Sequence, residues 1–204
     1  MEFITSREGL RNHYKPASEG SLRKEMKSLD PHAKGFLGRS PFVLIGSSDG
    51  NGNADVTPKG DKPGFVAVLD DTTIAIPDRP GNNRLDTWEN VIVNPAVGLL
   101  FLIPGMDETL RINGHARITV DSGLRERLAA EGRLPASVMV VSVNAVYMHC
   151  AKAFMRSELW KPATWPDRAS LPTLGRILKD QLALAESAEA TDERLAKDYR
   201  ASMW

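Results

Sequence analysis

The sequence predicts a mainly β domain with flanking helices, an α+β fold built on an antiparallel sheet or barrel. Four short strand-like segments follow one another between residues 42 and 76, joined by turns too short for a crossover helix. Helical spacing of apolar residues is concentrated near the two ends of the chain. With 204 residues, 42% of them hydrophobic, the chain can form one domain with a sizeable core.

Charge and cysteine content exclude several classes of protein. Lys+Arg and Asp+Glu number 26 each, which gives no support to a role on nucleic acid or on a membrane surface. The lone Cys150 cannot form an internal disulfide, and no residues stand at zinc spacing, so we expect no metal site. Residues 1–11 lack the apolar run of a signal peptide, and no stretch has the roughly 18 apolar residues of a membrane helix. We expect a soluble cytoplasmic protein.

Residues 1–40 are predicted to be a helical segment that packs on the outside of the main domain. Thr5-Ser6-Arg7-Glu8 can form a capping box, in which a Ser or Thr faces a Glu about three residues on. A second helix is predicted from Ser21, with Leu22, Met26 and Leu29 on one face, and Pro31 and Gly35 are expected to end it.

The first strands are predicted to form a meander. Phe42–Ser47 is a short apolar run, and residues 48–53 carry the Asn and Gly of a tight hairpin. Ala54–Lys59 is expected to return antiparallel, followed by strands at Phe65–Leu69 and Thr72–Ile76. Because Pro58 has no N–H to donate, its strand is predicted to lie at a sheet edge or to face a ligand.

The middle of the chain predicts one helix and three further strands. Asn83–Val93 places Leu85, Trp88 and Ile92 at helical spacing. Val97–Ile103 is wholly apolar, so both of its faces are expected to be covered, whereas Leu110–Ile118 alternates and should expose some of Arg111, Asn113, His115 and Arg117. A short helix at residues 121–132 and a strand at 138–147 complete the β domain, assigned to residues 41–160.

Residues 161–204 are predicted to form a C-terminal helical extension. A loop with several prolines precedes two helices, at about Thr173–Ser187 and Asp192–Ser202. Each helix has one apolar face.

The strongest candidate site is a loop that carries two arginines and leads into a helix. Arg79, Asn83 and Arg84 surround this Gly- and Pro-containing loop, and a helix N-terminus with guanidinium groups favours a phosphate. Equally, the arginines could pair with Asp78, Asp86 or Glu89 as a solvated surface cluster.

Two further groups of residues are ambiguous. Lys59 follows Thr57 and Pro58 at the end of a strand, where it is either the rim of a site or an edge-strand lysine. His149, Lys152 and Arg156 either meet an anion or a flat ring, or lie in water above a packed segment. The chain has no P-loop, nucleophile elbow or dinucleotide fingerprint, so redox chemistry would need a borrowed cofactor.

The order of these motifs resembles the pyridoxamine 5′-phosphate oxidase-like flavoproteins over about residues 40–160. The resemblance is carried by residues 56–60, by 76–84 with the helix after them, and by Asn94-Pro95 followed by an apolar strand and Arg111-Ile112-Asn113-Gly114. Residues 149–160 are similar to the His-Cys-x-Lys-Ala-Phe-x-Arg-Ser-x-Leu-Trp segment of one FMN-dependent branch.

The resemblance implies a split β-barrel that dimerises and binds FMN in two equivalent clefts at the dimer interface. By position, the flavin would be lined by Thr57, Pro58, Lys59, Ile76 and Pro77, with Thr109 and Arg111 near it from the next strand pair. The phosphate would be held by Arg79, Asn83 and Arg84. The cleft would be closed by His149, Lys152 and Arg156, from the same or the partner chain.

The chain departs from the true oxidase of this family. Asn83-Arg84-Leu85 stands where that enzyme has a Ser-Arg-Lys clamp, and Arg156 is followed by no histidine matching its Arg-x-His pair. The resemblance therefore implies an FMN-dependent oxidoreductase acting on another small molecule, with NAD(P)H as a possible electron donor. The alternatives are a non-catalytic flavin- or haem-binding protein, an FMN carrier and a deazaflavin-dependent reductase.

Overall fold

The fold is a seven-stranded antiparallel sheet with flanking helices, as predicted. The structure is a computed structural model that describes residues 1–203. The sheet order is β2-β1-β5-β6-β7-β4-β3, and every pair of neighbours is antiparallel. The strands are β1 (Phe42–Ser48), β2 (Ala54–Gly60), β3 (Ala67–Asp70), β4 (Thr73–Pro77), β5 (Ala96–Leu102), β6 (Thr109–Thr119) and β7 (Val138–His149). Strands β2 and β3 are the two edges, so backbone hydrogen bonds do not close the sheet into a barrel.

Eight α-helices and two single 3-10 turns are described within residues 1–203. The helices are α1 (Arg7–Arg11), α2 (Glu19–Arg23), α3 (Pro31–Leu37), α4 (Asp86–Val93), α5 (Ser122–Arg127), α6 (Lys152–Ser157), α7 (Leu174–Leu182) and α8 (Ala188–Ser202). The 3-10 turns are Pro162–Thr164 and Arg168–Ser170. Over the described part of the chain, no helix combines the length and the apolar character needed to cross a membrane.

The prediction of a four-stranded meander is wrong at its centre. β1 pairs with β2, and β3 pairs with β4, as two local hairpins. After β2, however, the chain leaves that edge and β3 forms the opposite edge of the sheet. The crossing segment buries Phe65 and Val66, and Gly64 adopts a φ of +82°, where an added Cβ would lie 3.0 Å from the carbonyl oxygen of Gly38. The chain does turn at residues 62–65, as predicted, since the Phe65 N–H donates to the Lys62 carbonyl at 3.1 Å. The strand that follows, however, joins the opposite edge of the sheet.

The N-terminal helices also differ from the prediction. Within the predicted capping segment, Ser6 caps α1 by accepting a hydrogen bond from the Gly9 N–H. Neither α1 nor α2 contains a buried residue. Pro31 begins a helix where the sequence predicted an end, because Asp30 caps α3 and proline is well suited to the first helical position.

Buried side chains from α3, α4 and the inner face of the sheet form the main core. α3 contributes Ala33, Phe36 and Leu37, and α4 contributes Trp88 and Val91. The predicted apolar face of this helix is wrong at two of its three positions. Trp88 is buried, but Leu85 and Ile92 are exposed, and Thr87 and Asn90 are buried instead. Polar partners beneath the helix explain this orientation: the Asn90 amide donates to the Ser47 hydroxyl at 3.1 Å.

The outer face of β5 is half-exposed in the single chain. The inward residues Val97, Leu99 and Phe101 are buried, whereas Leu100 and Leu102 on the other face are not. Within a single chain, only one face of this wholly apolar strand is covered. The prediction that both faces are covered is therefore wrong for the single chain.

Two ion pairs join the end of β2 to the segment after β4. Lys59 Nζ lies 2.8 Å from an Asp78 carboxylate oxygen, and Arg79 Nε lies 2.6 Å from one of Asp61. The four side chains are only 14–21% exposed. We call this junction the seam. Its ion pairs connect the end of β2 to the end of β4, two strands that share no backbone hydrogen bonds.

Candidate functional site

A cleft of about 220 Å³ lies beside the seam and the N-terminus of α4. We call it the α4 cleft. Its walls are residues 55–57 and Lys59 of β2, residues 78–79, the loop 81–85, and the first residues of α4 up to Trp88. Five of the predicted site residues line it: Thr57, Lys59, Arg79, Asn83 and Arg84. The cleft thus brings together residues from two distant parts of the sequence.

The loop of the α4 cleft holds an unusual backbone conformation. Asn83 and Leu85 adopt left-handed φ angles of +57° and +62°. The Arg84 N–H donates to the side chain of Asn82 at 3.1 Å, which fixes the turn. Leu85, at the N-cap of α4, provides no side-chain acceptor for the first N–H groups of the helix. These N–H groups and the helix dipole favour an anion at the mouth of the cleft.

The three cations that line the cleft are not equivalent. Arg79 donates to Asp61 at the seam and, through Nη1, to the carbonyl of Leu128 at 2.9 Å, so this guanidinium helps to hold the fold. Lys59 pairs with Asp78 and lies 4.2 Å from the ring centre of Trp88. The Arg84 side chain is 74% exposed and pairs only locally, with Asp86 at 2.9 Å. Of the three, Arg84 has the greatest freedom to turn toward a ligand.

A second, more apolar cleft of about 330 Å³ lies on the outer face of the sheet. Its walls come from β1, β2 and β5, with Arg111 and His149 at one end. Val56 of the edge strand lines both clefts, so they adjoin at β2. Arg111 donates to Asn113 at 3.3 Å and lies over the Tyr147 ring. Predicted site residues therefore occur in two adjoining clefts on the two sides of the β2 edge.

The remaining predicted site residues line neither cleft. Ile76, Pro77 and Thr109 are buried within the sheet. Pro58 is exposed on β2, which confirms its predicted edge position. Lys152 and Arg156 lie exposed on α6. The segment after them is anchored by Trp160, whose indole N–H donates to the carbonyl of Met106 at 2.9 Å.

Three residues of the site were not predicted from the sequence. Asp55 lines the α4 cleft and accepts a hydrogen bond from the Asn90 amide at 2.8 Å. Trp88 forms part of the wall, and its indole N–H donates to the Ser137 hydroxyl. The period of two along β2 was a usable signal for Asp55, since Asp55, Thr57 and Lys59 must share one face of the strand. Nothing local in the sequence indicated Asn90.

Several solved structures are similar to this chain. HupZ of Group A Streptococcus is 18% identical, with 59% of this chain and 93% of that chain covered and a TM-score of 0.48. General stress protein 26 of Bacillus anthracis is 14% identical, with 57% and 93% covered and a TM-score of 0.44. An FMN-binding protein of Syntrophomonas wolfei is 12% identical, with 55% and 79% covered and a TM-score of 0.44.

Family membership depends on the sequence match, because these structural similarities are weak. No curated protein matches the chain. The family described as pyridoxamine 5′-phosphate oxidase matches residues 29–150, which is more than half of the 204 residues. This region contains all seven strands and both clefts. The chain belongs to the pyridoxamine 5′-phosphate oxidase family.

Proposed function

We propose that the protein is an FMN-binding flavoprotein, an FMN-dependent oxidoreductase acting on a small molecule, with FMN held at a homodimer interface. The observation that carries the proposal is the α4 cleft. There, an uncapped helix N-terminus, a loop with two left-handed residues and the exposed guanidinium of Arg84 converge. Membership of the pyridoxamine 5′-phosphate oxidase family adds independent support.

The α4 cleft fits the phosphate end of FMN. Backbone N–H groups at the start of α4 can donate to phosphate oxygens, and Arg84 can add a charge-assisted pair once it leaves Asp86. Asn83 presents a further polar side chain from the same loop. Arg79 and Lys59 contribute positive potential from their places at the seam.

One chain supplies only part of a flavin site. Small-molecule pockets usually measure about 300–1,000 Å³, whereas the α4 cleft is about 220 Å³. The adjoining outer cleft is open and largely apolar, with Arg111 and His149 at its end. A second copy packed on the half-exposed outer face would cover this surface and complete two equivalent sites. In this arrangement Lys152 and Arg156 of the partner close each cleft.

Bound FMN would supply hydride transfer, which the side chains of this protein cannot perform. The residues of the chain bind and orient the cofactor. Arg84 and the α4 N-terminus fix the phosphate, Thr57 and Lys59 line the cleft beyond it, and the partner excludes water. The proposed electron donor is NADH or NADPH, and the site would accept a small organic substrate.

A visible absorption spectrum tests this function. We expect flavin bands after FMN is added and the excess removed, and bleaching of those bands by NADH or NADPH without oxygen. Bands that persist would favour an FMN carrier, and tighter binding of a deazaflavin would favour a deazaflavin-dependent reductase. A protein that takes up neither cofactor would refute the proposal. Sedimentation of the FMN-loaded protein as a monomer would refute the interfacial site.

The Arg84→Ala variant tests the position of the phosphate. Loss of a charge-assisted hydrogen bond is worth about 1.5–3 kcal/mol, so FMN affinity should fall roughly 10- to 150-fold. Riboflavin, which lacks the phosphate, should bind equally to both proteins. Arg176→Ala removes a similarly exposed arginine that pairs with Asp180 on α7 and serves as the matched control. Unchanged FMN affinity in the Arg84 variant would place the phosphate elsewhere.

A further inference from the structure

Asp55 is an acidic residue in a cleft that otherwise favours anions. Lys59, Arg79 and Arg84 each have a carboxylate partner, in Asp78, Asp61 and Asp86. Within residues 1–203, no lysine, arginine or histidine nitrogen lies within 4.0 Å of the Asp55 carboxylate. A carboxylate without a cation would repel a phosphate. Asp55 must therefore face another part of whatever ligand enters the cleft.

The buried Asn90 fixes the orientation of this carboxylate. Asn90 is 7% exposed, and its amide nitrogen donates to Asp55 Oδ2 at 2.8 Å and to the Ser47 hydroxyl at 3.1 Å. Both amide hydrogens are thus used, and the carboxylate prevents the amide from turning over, since its oxygen would then face Asp55. A second amide, that of Asn94, donates to the Ser48 hydroxyl at 2.7 Å one turn further along α4. α4 is held to β1 and β2 by polar side chains.

Asp55 retains acceptor capacity on the side that faces the cleft. A carboxylate offers about four lone-pair positions, and the amide of Asn90 takes one of them. Asp55 is exposed, lines the α4 cleft, and lies on the same face of β2 as Thr57. A fixed carboxylate beside a phosphate site is complementary to hydroxyl donors on the same ligand.

We propose that Asp55 accepts a hydrogen bond from a hydroxyl of the ligand's polyol chain, and that Asn90 is the positioning residue for this contact. The cleft would then recognise a polyol phosphate, with the phosphate at Arg84 and the hydroxyls at Asp55. The inference rests on the proposed function, in which the ribityl chain of FMN is that polyol. It assigns to Asp55 the discrimination between hydroxylated and plain alkyl phosphates.

Two small probes separate the hydroxyl contact from the phosphate contact. Ribitol 5-phosphate and n-pentyl phosphate carry the same phosphate and a five-carbon chain, and only the first has free hydroxyls. Their dissociation constants are measured by calorimetry on the full chain without flavin, and FMN binding is measured separately. We expect ribitol 5-phosphate to bind about tenfold more tightly than pentyl phosphate, because it can form one additional hydrogen bond to a charged group.

The variants should change this preference in different ways. Asp55→Ala should abolish it and leave pentyl phosphate binding unchanged or slightly improved. Asn90→Leu should reduce the preference. The double variant Asp55→Ala/Asn90→Leu should lose no more of the affinity for ribitol 5-phosphate than Asp55→Ala alone. If Asn90 only stabilised the fold, the two losses would add. Asp86→Asn, a matched change of charge at the phosphate end, should affect both probes equally.

The outcomes distinguish this inference from the proposed function. Equal binding of the two probes to the natural protein, or a preference that survives in Asp55→Ala, would overturn the role of Asp55 even if FMN binds. A preference for ribitol 5-phosphate in a protein that does not bind FMN would support the role of Asp55 and refute the flavin assignment. Failure of both probes to bind would overturn the inference.

Discussion

Replacing Arg79 by methionine should weaken the fold at the seam. The change leaves the Asp61 carboxylate, 15% exposed, without its 2.6 Å partner and removes a donor from the Leu128 carbonyl. Breaking a fully buried pair costs about 3–5 kcal/mol. Because the Arg79 side chain is 14% exposed, water screens part of the effect, and we expect a loss of about 2–4 kcal/mol. For a chain of this size, that corresponds to a Tm lower by about 4–16 °C.

Urea unfolding measures the loss, and two further variants identify its cause. Arg176→Met removes the arginine of an exposed pair, 62% and 55% exposed, and should change the free energy of unfolding by less than about 1 kcal/mol. Combining Arg79→Met with Asp61→Leu removes both charges and should restore stability to within about 1 kcal/mol of the natural protein. If Arg79→Met costs no more than Arg176→Met, the seam does not depend on this pair.

The double variant also tests the other predicted role of Arg79. If it is stable and binds FMN normally, Arg79 acts through the fold. If it is stable but has lost FMN affinity, Arg79 contacts the phosphate directly, as the sequence pattern suggested.

Three other predictions concern separate parts of the sheet. Gly114→Ala would place a Cβ 2.3 Å from the Ser142 carbonyl oxygen and should cost at least about 2 kcal/mol in urea unfolding; the control Gly98→Ala, with its nearest contact at 3.7 Å, should cost less than half as much. Hydrogen bonds from Asn53 and then Asn51 hold the pKa of Asp49 below its ordinary value. Its stabilising effect is therefore complete above the unfolded pKa of about 3.9 and lost as pH falls through the folded value. The difference in unfolding free energy between the natural protein and Asp49→Asn should shrink below about pH 4, and a difference independent of pH would contradict this. Leu100→Asp should give a monomer in sedimentation with weakened FMN binding, whereas a dimer that keeps its flavin would place the interface elsewhere.

Local patterns predicted local structure well. The Asn- and Gly-rich hairpin forms where expected, with Asp49 accepting from Asn51 and Asn53. The alternation in β6 exposes Arg111, His115 and Arg117, as the period of two predicted. Within these elements, neighbouring residues and the pleat of the strand decide the outcome.

Long-range arrangement was not predictable from the same signals. Turn residues indicate that a chain reverses, but they do not determine which strand it then joins, so the transfer from β2 to the opposite edge was missed. Leu85, at the N-cap of α4, and Ile92, near its end, are exposed because Asn90 and Trp88 have polar partners on distant elements. The start of α3 is different: Asp30-Pro31 is a recognisable helix beginning and could have been predicted.

The sequence named residues that the fold brings together, and their role stays a prediction. Thr57, Lys59, Asn83 and Arg84 line one cleft next to the β2 edge strand. The sequence could not show that Arg79 is held by Asp61, because these residues are 18 apart in the chain and meet only through the fold.

The open sheet restricts how two copies of this protein can associate. Strand edges can recruit a strand from another molecule, but β2 carries Pro58 and two charged residues, and β3 has four residues and a register shift between Val68 and Asp70. Neither edge is suited to continuing the ladder into a neighbour. Self-association would therefore occur by stacking of sheet faces, and it would stop at a closed pair, since a face once covered offers no template for a third molecule.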